Sequence, residues 1–122
     1  MLSRLTFTKE DRIRTTAQYR VMSRKGKRHY SDHFVFVFQN NHLSRSRLGI
    51  TVSKKVGKAV TRNRIKRTIR EYFRLNRSLL AGRLDINVIA RKSSGCTESA
   101  EIRKHLENCF RAIGLKAVQG ND

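Results

Sequence analysis

Between His33 and Gln39 the chain runs through five apolar residues without a break. On an extended backbone Phe34, Phe36 and Phe38 point one way and Val35 and Val37 the other, so the segment predicts a strand with both faces at least partly covered. Residues 40–46 are rich in Asn and Ser and predict a loop. Alternation returns at Arg47–Ser53, with Leu48, Ile50 and Val52 on a core face. Beyond Arg47 the other face carries Gly49, Thr51 and Ser53, small enough for a large ligand to approach the backbone. A third alternating stretch, Asp85–Arg91, predicts a third strand.

Helical spacing marks three further segments. Thr16 is placed to cap a short helix over Ala17–Lys25, with Tyr19 and Met22 on one face and Gly26 as a left-handed stop. A central helix is expected from about Thr61 to Leu79 or Leu80, closed by Gly82. Thr97 is placed to cap the last helix, with Glu98 and Glu101 in its first turn and a core stripe of Ile102, Leu106, Phe110 and Ile113. Residues Met1–Thr15 are expected to be a basic, partly ordered arm, and Leu115–Asp122 a frayed tail. The order helix-strand-strand-helix-strand-helix, with no repeat or linker, predicts one α+β domain built as a two-layer sandwich.

The central helix has an unusual division of charge. At roughly 100° per residue, Lys66, Arg67, Arg70, Arg74 and Arg77 fall within about 60° of Asn63, while Ile65, Ile69, Tyr72 and Phe73 lie near the opposite side. A solvated helix ordinarily mixes signs, because acid–base pairs four apart stabilise it. Here Glu71 is the only acid in the run, and the cations at spacings of three and four repel one another. Such a face suits a polyanion; Arg in particular offers phosphate a planar, permanently charged fork. Asn63 adds an amide that both donates and accepts.

Composition sharpens this reading. The 122 residues include 28 Lys and Arg against 9 Asp and Glu, a net charge of +19. The sequence pI is about 11.4. That balance points to RNA or DNA. No apolar run reaches the roughly 18–20 residues of a membrane span, so no membrane is expected; no obligate protein partner is expected either. Cys96 and Cys109 are too few for a disulfide framework and suit reduced thiols in the cytoplasm. His29, His33, His42 and His105 have no zinc-like spacing, and no protein metal site or catalytic residue is assigned. Neither a P-loop nor a dinucleotide fingerprint is present. Three readings remain open on these grounds: an RNA-binding module, a nuclease whose acids and His residues assemble in space, and a helix-turn-helix DNA binder. The strand-rich first half and single basic helix count against the last.

The ordered run from Leu48 to Glu71, with Lys54-Lys55-Val56-Gly57-Lys58 and Arg62-Asn63-Arg64 followed by Lys66, Arg67 and Arg70, resembles the protein subunit of bacterial ribonuclease P. The resemblance spans about Arg12 to Phe110. It implies a ribosomal protein S5 domain 2-like fold, shared with a domain of elongation factor G, in which the second and third expected strands are parallel and joined by a left-handed crossover. It also implies an endoribonuclease holoenzyme that removes the 5′ leader of precursor tRNA, with the catalytic RNA subunit doing the chemistry through Mg2+. By position, Arg62, Asn63, Arg64, Lys66, Arg67, Arg70 and Arg74 correspond to RNA-contacting residues, and Lys54 and Lys55 to phosphate neighbours. Tyr19, Val35 and Val37 correspond to a cleft for the single-stranded leader. Ser23 stands where relatives often carry a second aromatic, which leaves a smaller stacking surface.

Overall fold

The computed structural model describes residues 9–41, 43, 45–77, 80 and 83–119, the side chains of 115–119 excepted. Helix α1 spans Thr16–Lys25 and is followed by strands β1 (Lys27–Tyr30), β2 (Phe34–Asn40) and β3 (Arg47–Thr51). Helix α2 (Ala59–Asn76), strand β4 (Leu84–Ala90) and helix α3 (Ser99–Gln119) complete the chain. The strands form one sheet in the order β1-β2-β4-β3. β2 is antiparallel to β1 and β4, whereas β3 and β4 are parallel neighbours joined through α2.

β1 is an element that hydrophobic patterning does not announce. Its residues, Lys27-Arg28-His29-Tyr30, have no apolar alternation because it is an edge strand with little to bury. The turn Ser31–His33 closes it onto β2, where Ser31 N donates to Phe34 O at 2.9 Å.

Two separate cores lie on the two faces of the sheet. On one, Phe34, Phe36 and Phe38 of β2 meet Ile86, Val88 and Ala90 of β4 and Leu48 of β3, all buried under α2 and α3. Ile65, Ile69 and Phe73 of α2 and the whole expected stripe of α3 (Ile102, Leu106, Phe110, Ile113) are fully enclosed there. Phe110 sits edge-on to Phe36, Tyr72 and Phe73, with ring centroids 5.1–6.4 Å apart. The Tyr72 hydroxyl is buried in this core without a hydrogen-bond partner, and its pKa is pushed up to about 12, chiefly by burial. On the other face α1 covers a much smaller cluster of Ile13, Met22 and Val37, with Tyr19 and Ile89 packed at its margin.

Several local expectations change. The cap of α1 is Thr15, not Thr16: its hydroxyl accepts from Gln18 N at 3.1 Å while Gln18 Oε1 accepts from Thr15 N at 3.1 Å. Gly26 is extended (φ −73°, ψ 154°), not left-handed. Glycine is needed there because a Cβ would stand 2.7 Å from Met22 O and 2.8 Å from a Val37 methyl. α2 begins two residues before Thr61 and ends at Asn76, short of the expected Leu79 or Leu80; the expected stop at Gly82 lies outside the described residues. Thr97 does not cap α3, which begins two residues later at Ser99; its hydroxyl donates back to Ser93 O at 3.0 Å. The helix runs on to Gln119, through most of the expected frayed tail, and residues 120–122 lie outside the described residues.

The described part of the arm is docked. Arg12 bridges to Leu48 in parallel and Ile13 N donates to Leu48 O at 2.9 Å, so the arm covers part of the free edge of β3. Asp11, 1% exposed, accepts from Arg45 at 2.8 Å and from Arg77 at 3.0 Å. Charge-assisted bonds of this kind satisfy a carboxylate that is otherwise costly to bury.

Candidate nucleic-acid interface

The apolar side of α2 anchors the helix on the sheet and turns its cations outward, but not all in one direction. Asn63, Arg67 and Arg70 are exposed and Lys66 is half-buried. Arg62 and Arg64 flank this face: Arg62 Nε donates to Gly57 O at 3.1 Å, and Arg64 donates to Ser99 Oγ at 3.1 Å beside a hollow that includes Cys96 and Thr97. Arg74 pairs with Glu71 one turn back, so the one acid of the helix offsets one of its cations. Arg77 leaves the cationic face altogether. It binds Asp11 and lies over the Phe73 ring, 5.1 Å from its centroid. Helical phase grouped it with the other cations, and could not anticipate the carboxylate that the arm brings to draw it aside. Lys54 and Lys55 are exposed on a 3-10 turn just before α2, which Val56 pins to the core.

Tyr19 lies on the opposite layer. Its ring packs over Gly49, where a Cβ would come within 2.6 Å of the phenol oxygen. The bare backbone at Gly49 is thus occupied by a side chain of the same chain. Burial raises the Tyr19 pKa, partly offset by the Ile50 backbone N–H at the phenol oxygen. Val35 is half-buried. Val37 is 2% exposed beneath α1, so it is part of the small core and Val35 supplies the accessible part of that wall.

The edge of β3 brings the two sets together. A hollow of about 180 Å³ is lined by Tyr19 and Ile13 from one layer, Lys66 and Arg70 from the other, and Gly49 and Ile50 between them, with Arg12 at its side. Arg12 also lines a larger hollow of about 400 Å³ with Lys9, Arg14, Arg45 and Arg47, which extends the basic edge toward the arm. Arg12 was not among the residues singled out by sequence pattern. It sits in a segment without periodicity, and only its pairing with Leu48 puts it here. The basic face and the aromatic ring are therefore contiguous around the edge of β3, while Val35 lies two strands away on β2. These are groups that bind phosphate, stack on bases and exclude water. Among the described residues no group of three His, Cys, Asp or Glu is placed to hold a metal ion, and no helix is long and apolar enough to cross a membrane.

Comparison with known proteins identifies the family. The family model for ribonuclease P matches residues 7–114. The ribonuclease P protein component of Desulfatibacillum aliphaticivorans is 46% identical over 108 residues, covering 88% of this chain and 92% of that protein. The solved RNase P protein of Thermotoga maritima is 35% identical with a TM-score of 0.77, covering 84% of this chain and 96% of that one. A Staphylococcus aureus RNase P protein, described as a mutant with defective mRNA degradation activity, is 40% identical with a TM-score of 0.78, covering 82% and 85%. With the Arg62-Asn63-Arg64 helix crossing between parallel strands, as in the resemblance drawn from its sequence, this chain belongs to the ribonuclease P protein family.

Proposed function

We propose that this protein is the RNA-binding subunit of a ribonuclease P ribonucleoprotein acting in the cytoplasm, in which the RNA subunit performs the chemistry. The holoenzyme removes the 5′ leader from precursor tRNA by hydrolysis, using Mg2+ held by RNA. The observation that carries this reading is the hollow at the edge of β3, where Lys66 and Arg70 of the basic helix meet Tyr19 of α1. A polyanion bound along α2 would pass a single strand directly into the space beside Tyr19.

In this reading Arg62, Asn63, Arg64, Lys66, Arg67, Arg70 and Arg74, with Lys54 and Lys55, contact the RNA subunit chiefly through phosphate. Cations there neutralise phosphates and lower the Mg2+ concentration that cleavage requires. Tyr19 stacks on a leader base, and Val35, over Val37, supplies contact area without reading base identity.

The test is cleavage of a precursor tRNA by protein alone, RNA subunit alone and both together, at low and high Mg2+. The expected result is activity with RNA alone at high Mg2+, rescue at low Mg2+ by the protein, and none with protein alone. The protein-alone arm matters because of the mRNA degradation activity named for the Staphylococcus relative. Leader cleavage by RNA-free protein would overturn the division of labour. Tyr19→Ala should lower the ratio of precursor to mature tRNA affinity in the holoenzyme; an unchanged ratio would reduce Tyr19 to a packing residue.

A further inference from the structure

α1 crosses the sheet from Gly49 on β3, under Tyr19, to Val37 on β2, under Met22. It therefore covers the cross-strand row Arg28, Val37, Asn87 and Gly49. The next row on the same face is Tyr30, Val35, Ile89 and Thr51, one residue from each strand in direct register. This row is left largely uncovered. Val35 and Ile89 are half-buried, Thr51 is exposed, and the Tyr30 side chain is 61% exposed.

The row begins at Thr51, two residues along β3 from the Gly49 that lies under Tyr19, and ends at the outer strand of the sheet. From β3 to β1 it crosses three inter-strand spacings, about 14 Å, room for roughly two to four nucleotides of single strand. Its far end is cationic. Arg28 points to the same face two residues before Tyr30 and donates to Ser23 O at 3.0 Å, and Arg91 donates to Ser31 O at 2.8 Å in the adjoining turn. The turn also carries one exposed acid, Asp32. An accessible aromatic ring at the end of an aliphatic floor, between two guanidinium groups, suits a base with its flanking phosphates.

We propose that the row Tyr30–Val35–Ile89–Thr51 extends the Tyr19 cleft across the sheet, and that Tyr30 is a second stacking platform for the single-stranded leader, which rests on the leader-binding reading above. The direction follows from the geometry. The basic helix lies at the β3 end and Tyr30 at the β1 end, so the base on Tyr30 lies farther from the cleavage site than the base on Tyr19.

The experiment uses the reconstituted holoenzyme and precursor tRNAs with a leader of about ten nucleotides, each carrying one abasic position. Wild type, Tyr19→Ala, Tyr30→Ala and Tyr30→Phe are compared, with mature tRNA as the leaderless control. Tyr30→Ala is expected to weaken precursor binding about fivefold or more, the effect of one lost stack, while mature tRNA binding is unchanged. Tyr30→Phe should retain wild-type affinity. One abasic position should weaken wild type but not Tyr30→Ala, and it should lie upstream of the position coupled to Tyr19. If Tyr19→Ala changes the abasic profile and Tyr30→Ala does not, the platform is overturned while leader binding stands. If wild type shows no dependence on the leader, both fall together. A dimer dissolved by Tyr30→Ala, with an unchanged abasic profile, would assign the face to a second copy and overturn the proposal.

Discussion

The two faces of the sheet are made by the same strands, yet they are covered to very different extents. Under α2 and α3 lies a continuous core with five phenylalanines fully enclosed. Under α1 lie three buried residues, Ile13, Met22 and Val37, with a groove beside them. α1 crosses the strands as a single helix about 10 Å wide, so it covers one cross-strand row and leaves a strip of aliphatic and aromatic surface beside it open. One face thus holds the fold together and positions α2. The other has surface to spare for a ligand.

Substitutions on the two faces should separate these roles. Phe110→Ala removes the ring that touches Phe36, Tyr72 and Phe73, and should cost about 3–5 kcal/mol by denaturant unfolding. Met22→Ala should cost about 2 kcal/mol, because its cluster borders an open groove into which neighbours can relax. Equal losses at the two positions would erase the distinction. Arg67→Ala, on the exposed side of α2, should leave the unfolding midpoint within about 0.5 kcal/mol of wild type. The same change should flatten the salt dependence of RNA-subunit binding by about one unit of slope. A stability loss comparable to Met22→Ala would mean that this side of α2 is structural.

The smallest loss of stability is expected at Tyr72→Phe, inside the dense core. Its hydroxyl has no partner, so removal should leave stability at pH 7 unchanged or raise it by up to about 1–3 kcal/mol. The pH dependence has a definite sign. A phenol held to about 12 in the folded state, above its ordinary 10, resists an ionisation that the unfolded chain undergoes freely. Stability is unaffected below pH 10 and falls as pH rises from 10 to 12. Melting temperature measured from pH 9 to 12 should therefore fall more steeply for wild type than for Tyr72→Phe.

What the sequence disclosed follows the same division. The dense face was legible because its residues repeat with strand or helix period: Phe34, Phe36 and Phe38, the Ile65-Ile69-Phe73 side of α2, and the α3 stripe all lie where periodicity put them. The sparse face was legible only in fragments. β1 carries charge in place of alternation, and the docking of Arg12 and Asp11 depends on Leu48, Arg45 and Arg77, which lie far away in sequence. Gly49 looked like an opening for a ligand, and Tyr19 fills it. Helical phase gave the basic face of α2, but partners outside or along the helix redirect Arg62, Arg64, Arg74 and Arg77. A pattern within one element reports which side is buried; it does not report what another element will bring.

The placement of β4 also bears on synthesis of the chain. It is the inner strand that pairs with both β2 and β3, yet it comes last of the four. As the chain emerges from its N-terminus, β2 can form a hairpin with β1, but its other edge must wait until β3 and α2 have been made. That waiting edge belongs to Phe34-Val35-Phe36-Val37-Phe38-Gln39, an uncharged, proline-free segment of the kind that stacks into cross-β aggregates. Lys27 and Arg28 stand next to it as gatekeepers, and the chain's excess of 19 positive charges makes neighbouring nascent chains repel. The charge that suits this protein to a polyanion therefore also keeps its most adhesive strand apart from other copies until β4 arrives.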